Sequence, residues 1–271
     1  MRDLEGPLLL VGCGKMGGAM LAGWLGRGLD PAEAHVVEPN KAALGEFAGQ
    51  VRHHVDFSSL PAVLTPRVVV LAVKPQMMAS ALPGCRRFVG PKTLFLSIAA
   101  GKTIAYFERE LGPGPLVRAM PNTPAAIARG ISVAVANAGV TADQKEQADL
   151  LLKAVGEVAW VEQESLIDPV TALSGGGPAY VFLLMEYLAE AGAASGLPLE
   201  LARRLARVTV SGAGELARQS AESVEQLRQN VTSPAGTTLE ALKVLMADDG
   251  LKPLLTKAIA AATRRSRELA S

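Results

Sequence analysis

The sequence predicts an α/β chain in which a doubly wound, mostly parallel sheet is followed by an all-helical domain. Two observations predict it. Short Val- and Leu-rich runs alternate with helical patterns through the first 160 residues, and beyond Glu164 the strand signals stop. The runs at 8–11, 35–38, 68–73, 94–98, 116–119, 132–136 and 158–161 read as strands. Several are too continuous in apolar residues to keep a solvent-facing side, as befits strands inside a parallel sheet. Helical patterns lie between them, and such βα alternation builds a doubly wound sheet. At 141–155 a helix is expected, with Thr141 and Gln144 at the spacing of a capping box, in which two side chains satisfy free amides at a helix start. Four later stretches, 179–195, 199–217, 239–248 and 253–269, read as helices separated by Gly, Pro and Ser. The expected division is a sheet domain over 1–164 and a helical domain over 165–271.

Composition narrows the function. Lys and Arg number 27 against 26 Asp and Glu, a formal charge of +1, so no single-sign field recruits nucleic acid or anionic lipid. Neither is expected as a partner. Two cysteines, Cys13 and Cys85, lack CxxC spacing, which points to a reducing, cytoplasmic setting and to no structural metal. The opening apolar run is too short for a signal-peptide core, and the longest uncharged stretch, 169–185, is broken by Gly-Gly-Gly-Pro. Aromatic residues are only 4% of the chain, and the helical domain is rich in Ala, Gly and Leu on more than one face. That excess of apolar surface calls for a second subunit.

The first strand leads directly into Gly12-Cys13-Gly14-Lys15-Met16-Gly17. GxGxxG after a strand and at the opening of a helix is the Rossmann-type fingerprint: a tight turn, a close diphosphate and a close helix-strand contact each ask for glycine. Alone the motif is weak, and a ligand-free turn is its bland alternative. Glu38 ends the second strand 21 positions after Gly17, where an acid bonds ribose hydroxyls and repels a 2′-phosphate. It favours NAD, although Asn40 and Lys41 follow and leave NADPH open.

Candidate catalysts are few. His35, His53 and His54 all lie in the first 54 residues, and the helical domain has no histidine. Carbonyl reduction ordinarily needs a positioned acid or base. A protonated C=N bond asks less of the protein.

Six segments carry a family resemblance: GCGKMGGAM at 12–20, AVKPQ at 72–76, SIAAG at 97–101, RAMPNTP at 118–124, and the pair TALSGGGPAY at 171–180 and NVTSPAGTTLEAL at 230–242. With them the chain resembles pyrroline-5-carboxylate reductase, the enzyme of the last step of proline biosynthesis, in order and along nearly its whole length. The resemblance implies hydride transfer from NADPH or NADH to the C=N bond of 1-pyrroline-5-carboxylate, and a homo-oligomer, dimer or ring of dimers, joined through the helical domain. By the match, the substrate carboxylate rests on Ser233 and the backbone of Gly236, Thr237 and Thr238, and the Thr238 hydroxyl is the catalytic group that meets the ring nitrogen. Thr237 and Glu240 repeat the capping-box spacing, so the loop is read as the amide-rich start of a helix, which binds anions. Thr171 and Ser174 come near the substrate, and Glu164 near the product ring. Ala72, Val73, Lys74, Ala99, Ala100, Gly101, Pro121, Asn122 and Asn230 would line the cofactor.

Taken alone, residues 174–180 read as a helix stop, a tight turn and a restart at Pro178. Three positions depart from the family pattern: Gly176 replaces a usual Ser, Ala235 a usual Gly, and Glu38 stands where many relatives carry small or amide residues and prefer NADPH. Two rival readings use the same build. A hydroxyacid dehydrogenase would need a basic catalyst in the second domain, and a non-catalytic nucleotide sensor would need no anion-binding turn there.

Overall fold

The computed structural model describes residues 6–270; residues 1–5, which open the stretch read above for a signal-peptide core, and residue 271 lie outside the described residues. Eight strands, β1 (Leu8–Val11), β2 (Ala34–Val37), β3 (Arg52–His54), β4 (Val68–Leu71), β5 (Leu94–Ser97), β6 (Leu116–Met120), β7 (Gly130–Ala136) and β8 (Gly156–Trp160), form one sheet. Its order is β3-β2-β1-β4-β5-β6-β7-β8, and every pair is parallel except β6 with β7. The expected doubly wound fold is borne out. Strand β3 is an addition: Arg-His-His has no apolar period, and as an edge strand it is paired through its backbone to β2 alone.

The helices are α1 (Lys15–Gly26), α2 (Met78–Cys85), α3 (Ile104–Leu111), α4 (Ala142–Lys153), α5 (Ile167–Val170), α6 (Gly177–Ala194), α7 (Leu199–Gln219), α8 (Val224–Asn230), α9 (Thr237–Leu245) and α10 (Leu251–Ala270). Side chains alternate across each strand, so the sheet feeds two cores. On one face Leu8, Leu10, Val68 and Val70 pack with Met20, Leu21 and Trp24 of α1 and with Leu151 and Leu152 of α4. On the other, Leu9, Val11, Val69 and Leu71 pack with Met78 and Leu82 of α2 and Phe107 of α3. The Thr141–Gln144 capping box forms as expected: each backbone N–H donates to the other's side chain, at 3.0 and 3.3 Å.

The described chain divides into two compact units, one running to Gly175 and taking in the residues from Ala262 onward, the other Gly176–Ala261. This differs from the division at Glu164 expected from strand signals. Packing explains it: Ile167 of α5 is buried with Val133 and Val135, and Ser266 Oγ donates to Asp168 Oδ1 at 2.7 Å. In the second unit α6 and α7 lie side by side, and the apolar residues they bury together are small, Ala189, Ala202 and Ala206. Phe182, Tyr187, Leu205 and Val208 remain exposed. No helix among the described residues is long and apolar enough to cross a membrane.

The indole N–H of the fully buried Trp24 donates to the Leu151 carbonyl at 2.9 Å and so ties α1 to α4. Trp24→Phe removes that donor and part of the ring, and is expected to cost about 1–3 kcal/mol, read as a lowered midpoint in thermal denaturation.

Candidate dinucleotide and substrate site

Strand β1 delivers the chain to Gly12, whose φ of +92° lies in the left-handed region. A Cβ there would meet Val73 at 2.8 Å, and a Cβ on Gly17 would stand 2.3 Å from the Gly12 carbonyl. Only glycine lets α1 rest this closely on the turn. Over Gly14 the space is open, with no atom within 4 Å of a Cβ position. No side chain caps α1 at Gly14, and its first turn holds no acid. The exposed Lys15 and half-buried Met16 follow, so an uncompensated helix N-terminus faces that open space, as diphosphate binding requires.

Glu38 follows β2 and turns back to this loop. Its Oε2 accepts the Cys13 N–H at 2.9 Å and its Oε1 the Asn40 N–H at 3.0 Å. His53 Nε2 reaches the Glu38 carbonyl at 2.8 Å, which also fixes the backbone. A cavity of about 430 Å³ opens here, lined by Gly12, Gly14, Glu38, Ala72, Val73 and Lys74, all expected, and by Val55, Asp56, Phe57, Met77 and Ala81, which sequence reasoning missed. The available signal was Asp56 three residues before Ser59, a pair that closes a capping box and sets the turn carrying Phe57. The cradle of glycines and the open cavity fit a dinucleotide.

The remaining first-unit candidates gather at the ends of the central strands. Ala99, Ala100 and Gly101 follow β5, and Pro121 and Asn122 follow β6. Asn122 Nδ2 donates to the Ser174 carbonyl at 3.2 Å, and Asn122 Oδ1 accepts from the Ile131 N–H at 2.9 Å. Residues 171–180 form no tight turn. A π-helical turn, Thr171–Gly175, passes from α5 towards α6, and none of its glycines has positive φ. Thr171 and Ser174 donate their hydroxyls back to the carbonyls of Ile167 and Val170. Glu164 Oε1 accepts both from Arg118 Nη1, at 2.6 Å, and from the Ile104 N–H, at 2.8 Å.

In the second unit, Asn230 ends α8, its amide donating to the Glu222 carboxylate at 3.1 Å. The turn at 233–236 leads into α9, and the Gly236 N–H donates to the Ser233 carbonyl at 3.1 Å. A Cβ on Gly236 would meet Ser233 Oγ at 2.3 Å. The expected Thr237–Glu240 capping box does not form. Gly236 occupies the cap position with no side-chain bond, Thr237 is already helical, and Glu240 pairs with Lys243 at 2.7 Å. The start of α9 therefore stays open, with Thr237 and Thr238 exposed on it.

Burial favours the neutral forms of Cys13, His35 and His54 near the nucleotide loop. Burial, then the Glu38 charge, pushes the Cys13 thiol up to about 11. His35 and His54 stack with ring nitrogens 3.0 Å apart; burial, then His54 and Arg52, lowers His35 to about 4. Neither is an acid or base for chemistry near neutral pH. Among the described residues no group of three or more His, Cys, Asp or Glu is placed to hold a metal ion.

A parallel sheet whose order reverses between β1 and β4, with a glycine cradle at the end of β1, defines a dinucleotide-binding domain; joined to a helical unit, it has the build of a two-part oxidoreductase. Residues 8–101 match the family model described as NADP oxidoreductase coenzyme F420-dependent, and residues 164–269 match that of pyrroline-5-carboxylate reductase dimerisation. A pyrroline-5-carboxylate reductase of Pseudomonas aeruginosa is 42% identical over 97% of this chain and 96% of its own. The solved structure of one from Coxiella burnetii, 38% identical, superposes with a TM-score of 0.90 over 98% of this chain and 99% of that one. That of a Plasmodium falciparum pyrroline carboxylate reductase with NADP bound, 28% identical, does so at 0.82 over 99% of each. The chain belongs to the pyrroline-5-carboxylate reductase family.

Ala235 takes φ +57°, a left-handed conformation that strains any residue with a Cβ. Ala235→Gly is expected to stabilise the folded chain by about 0.5–1 kcal/mol, the relief of strain less the added freedom of the unfolded chain, read as a raised denaturant midpoint.

Proposed function

We propose that this chain reduces the C=N bond of 1-pyrroline-5-carboxylate, giving L-proline, with NADH as the preferred reductant. The observation that carries the reading is a formed dinucleotide cavity in a chain that is 42% identical, over 97% of its length, to a reductase of that name. When bound, a reduced nicotinamide supplies the hydride. The protein's own residues then have to hold, orient and exclude.

The α1 N-terminus holds the diphosphate above Gly14. Lys74 and the segments Ala99 to Gly101 and Pro121 to Asn122 line the ribose and nicotinamide. In the helical unit the open start of α9, with Ser233 and Thr237, takes the substrate carboxylate, and the Thr238 hydroxyl sets the ring nitrogen; Asn230 lies beside the cofactor. Thr171 and Ser174 border the ring from the π-turn. A protonated imine already carries its proton on nitrogen, so hydride arriving at carbon completes the amine. Catalysis is then mainly a matter of orientation, which accords with burial that lowers His35 to about 4 and raises the Cys13 thiol to about 11. Among the lining side chains of the cavity, Glu38 and Asp56 are acidic and Lys74 is the basic one. Glu38 is fixed by two amides, so a 2′-phosphate would lie against an immobile carboxylate. This supports NADH over NADPH.

Exposed apolar side chains on α6 and α7 support a homo-oligomer through the helical unit, a dimer or a ring of dimers. We place the protein in the cytoplasm, a reading supported by two buried free thiols.

Nicotinamide absorbance followed with pyrroline-5-carboxylate should show oxidation, and 2-keto acids should give none; the reverse result overturns the reading. Thr238→Ala should lower kcat/KM for the imine by about 10- to 100-fold, the loss of one hydrogen bond to a charged group, with cofactor affinity unchanged. Glu38→Ser should shift the NADH to NADPH ratio of kcat/KM towards NADPH by roughly tenfold or more. An unchanged ratio would show that Glu38 does not set the preference.

A further inference from the structure

Arg118 is out of place in its strand. It lies in β6 between Val117 and Ala119 and is 2% exposed, and a guanidinium buried in this way is costly unless paired. Its partner is Glu164, which keeps 28% of its side chain exposed. A guanidinium bound to a carboxylate frequently closes a fork on both of its oxygens. Here the fork is open. Nη1 donates to Glu164 Oε1 at 2.6 Å, and the Ile104 N–H donates to the same oxygen at 2.8 Å. Arg118 Nη2 has no partner among the described residues, and no hydrogen bond from them reaches Glu164 Oε2.

Two donors converging on Oε1 fix the rotation of the carboxylate and leave Oε2 unengaged. The anchoring groups belong to the segments around the proposed nicotinamide position: Ile104 opens α3 just after the loop at Gly101, and β6 carries Arg118 and is followed by Asn122, which is bonded to the Ser174 carbonyl. A half-exposed carboxylate oxygen there matches an N–H cation, the iminium of the substrate or the ammonium of the product. We propose that Arg118 is a positioning residue of the reduction, fixing Glu164 so that Oε2 faces the cationic ring nitrogen. This rests on the substrate assignment made above.

The alternative is that the pair only fastens β6 and α3 together. Two ligands separate the cases: L-proline, which carries the ring ammonium, and cyclopentanecarboxylate, which has the ring and carboxylate without nitrogen. Their affinities are measured by calorimetry on the full chain saturated with oxidised cofactor. Arg118→Met should weaken L-proline by roughly tenfold or more while cyclopentanecarboxylate changes by less than about twofold, and Arg118→Lys, which keeps one charged donor, should recover much of the loss. Arg118→Met losing both ligands equally, or neither, overturns the proposal. If Arg118→Met fails to bind cofactor and so reports no folded site, Arg118→Gln, which keeps a neutral donor without the charge, decides on the same comparison, a selective loss of L-proline supporting the proposal and a parallel loss or none overturning it. Wild type binding neither L-proline nor the imine overturns the substrate assignment itself, and this inference with it. Wild type binding L-proline with no selective loss on substitution removes Arg118 alone.

Discussion

The carbonyl of Gly12 sits where a side chain on Gly17 would have to be, 2.3 Å from its Cβ position. This close approach governs the nucleotide half of the molecule. It seats α1 against the end of β1, so the positive end of the helix opens onto the cavity rather than onto the core. The same approach leaves the Cys13 amide free to be taken by Glu38, and in that way joins the second strand's end to the first turn. Continuous apolar strands hold the arrangement from below: β1 and β4 are buried at every position and leave the sheet little room to shift. The cavity is thus built on backbone geometry, with side chains supplying charge and shape at its rim.

Much of this was legible in the sequence, for physical reasons that can be named. The Val and Leu runs announced strands because a sheet covered on both faces has no polar side to show. Strand β3 was silent because an edge strand needs only backbone pairing, and Arg52, His53 and His54 carry no period. Helix α8, at Val224–Asn230, is short, polar and without buried residues, so it left no stripe to read. Most instructive are the two identical spacings. Thr141 and Gln144 close a capping box; Thr237 and Glu240 do not, because the left-handed Ala235 brings Gly236 into the cap position one residue early. Spacing defines what two side chains could do, and the turn before them decides whether they do it. Arg118 left a different sort of trace, a lone charge inside an apolar strand, which composition alone cannot distinguish from a surface residue.

The two units differ in how they reach stability. The first has two cores around one sheet. The second buries alanines between α6 and α7 and leaves its large apolar side chains uncovered, an allocation that makes sense for a segment matching a dimerisation family. Small residues let the helix pair approach closely, and the large ones are kept for a partner. The surface excess seen in composition is therefore placed at one set of helices rather than spread over the chain.

Residues from Ala262 onward belong with the sheet unit although the whole helical unit is made before them. Ser266 bonds Asp168, and the Leu269 carbonyl stands about 3.1 Å from a Cβ position on Gly101. During synthesis the sheet can assemble as soon as β8 has emerged, yet the neighbourhood of Gly101 is completed only by a helix that leaves the ribosome much later. A nascent chain can thus hold a nearly finished nucleotide domain whose loop after β5 still waits for its cover, so that the order of translation postpones the assembly of this end of the site until the helices have been made.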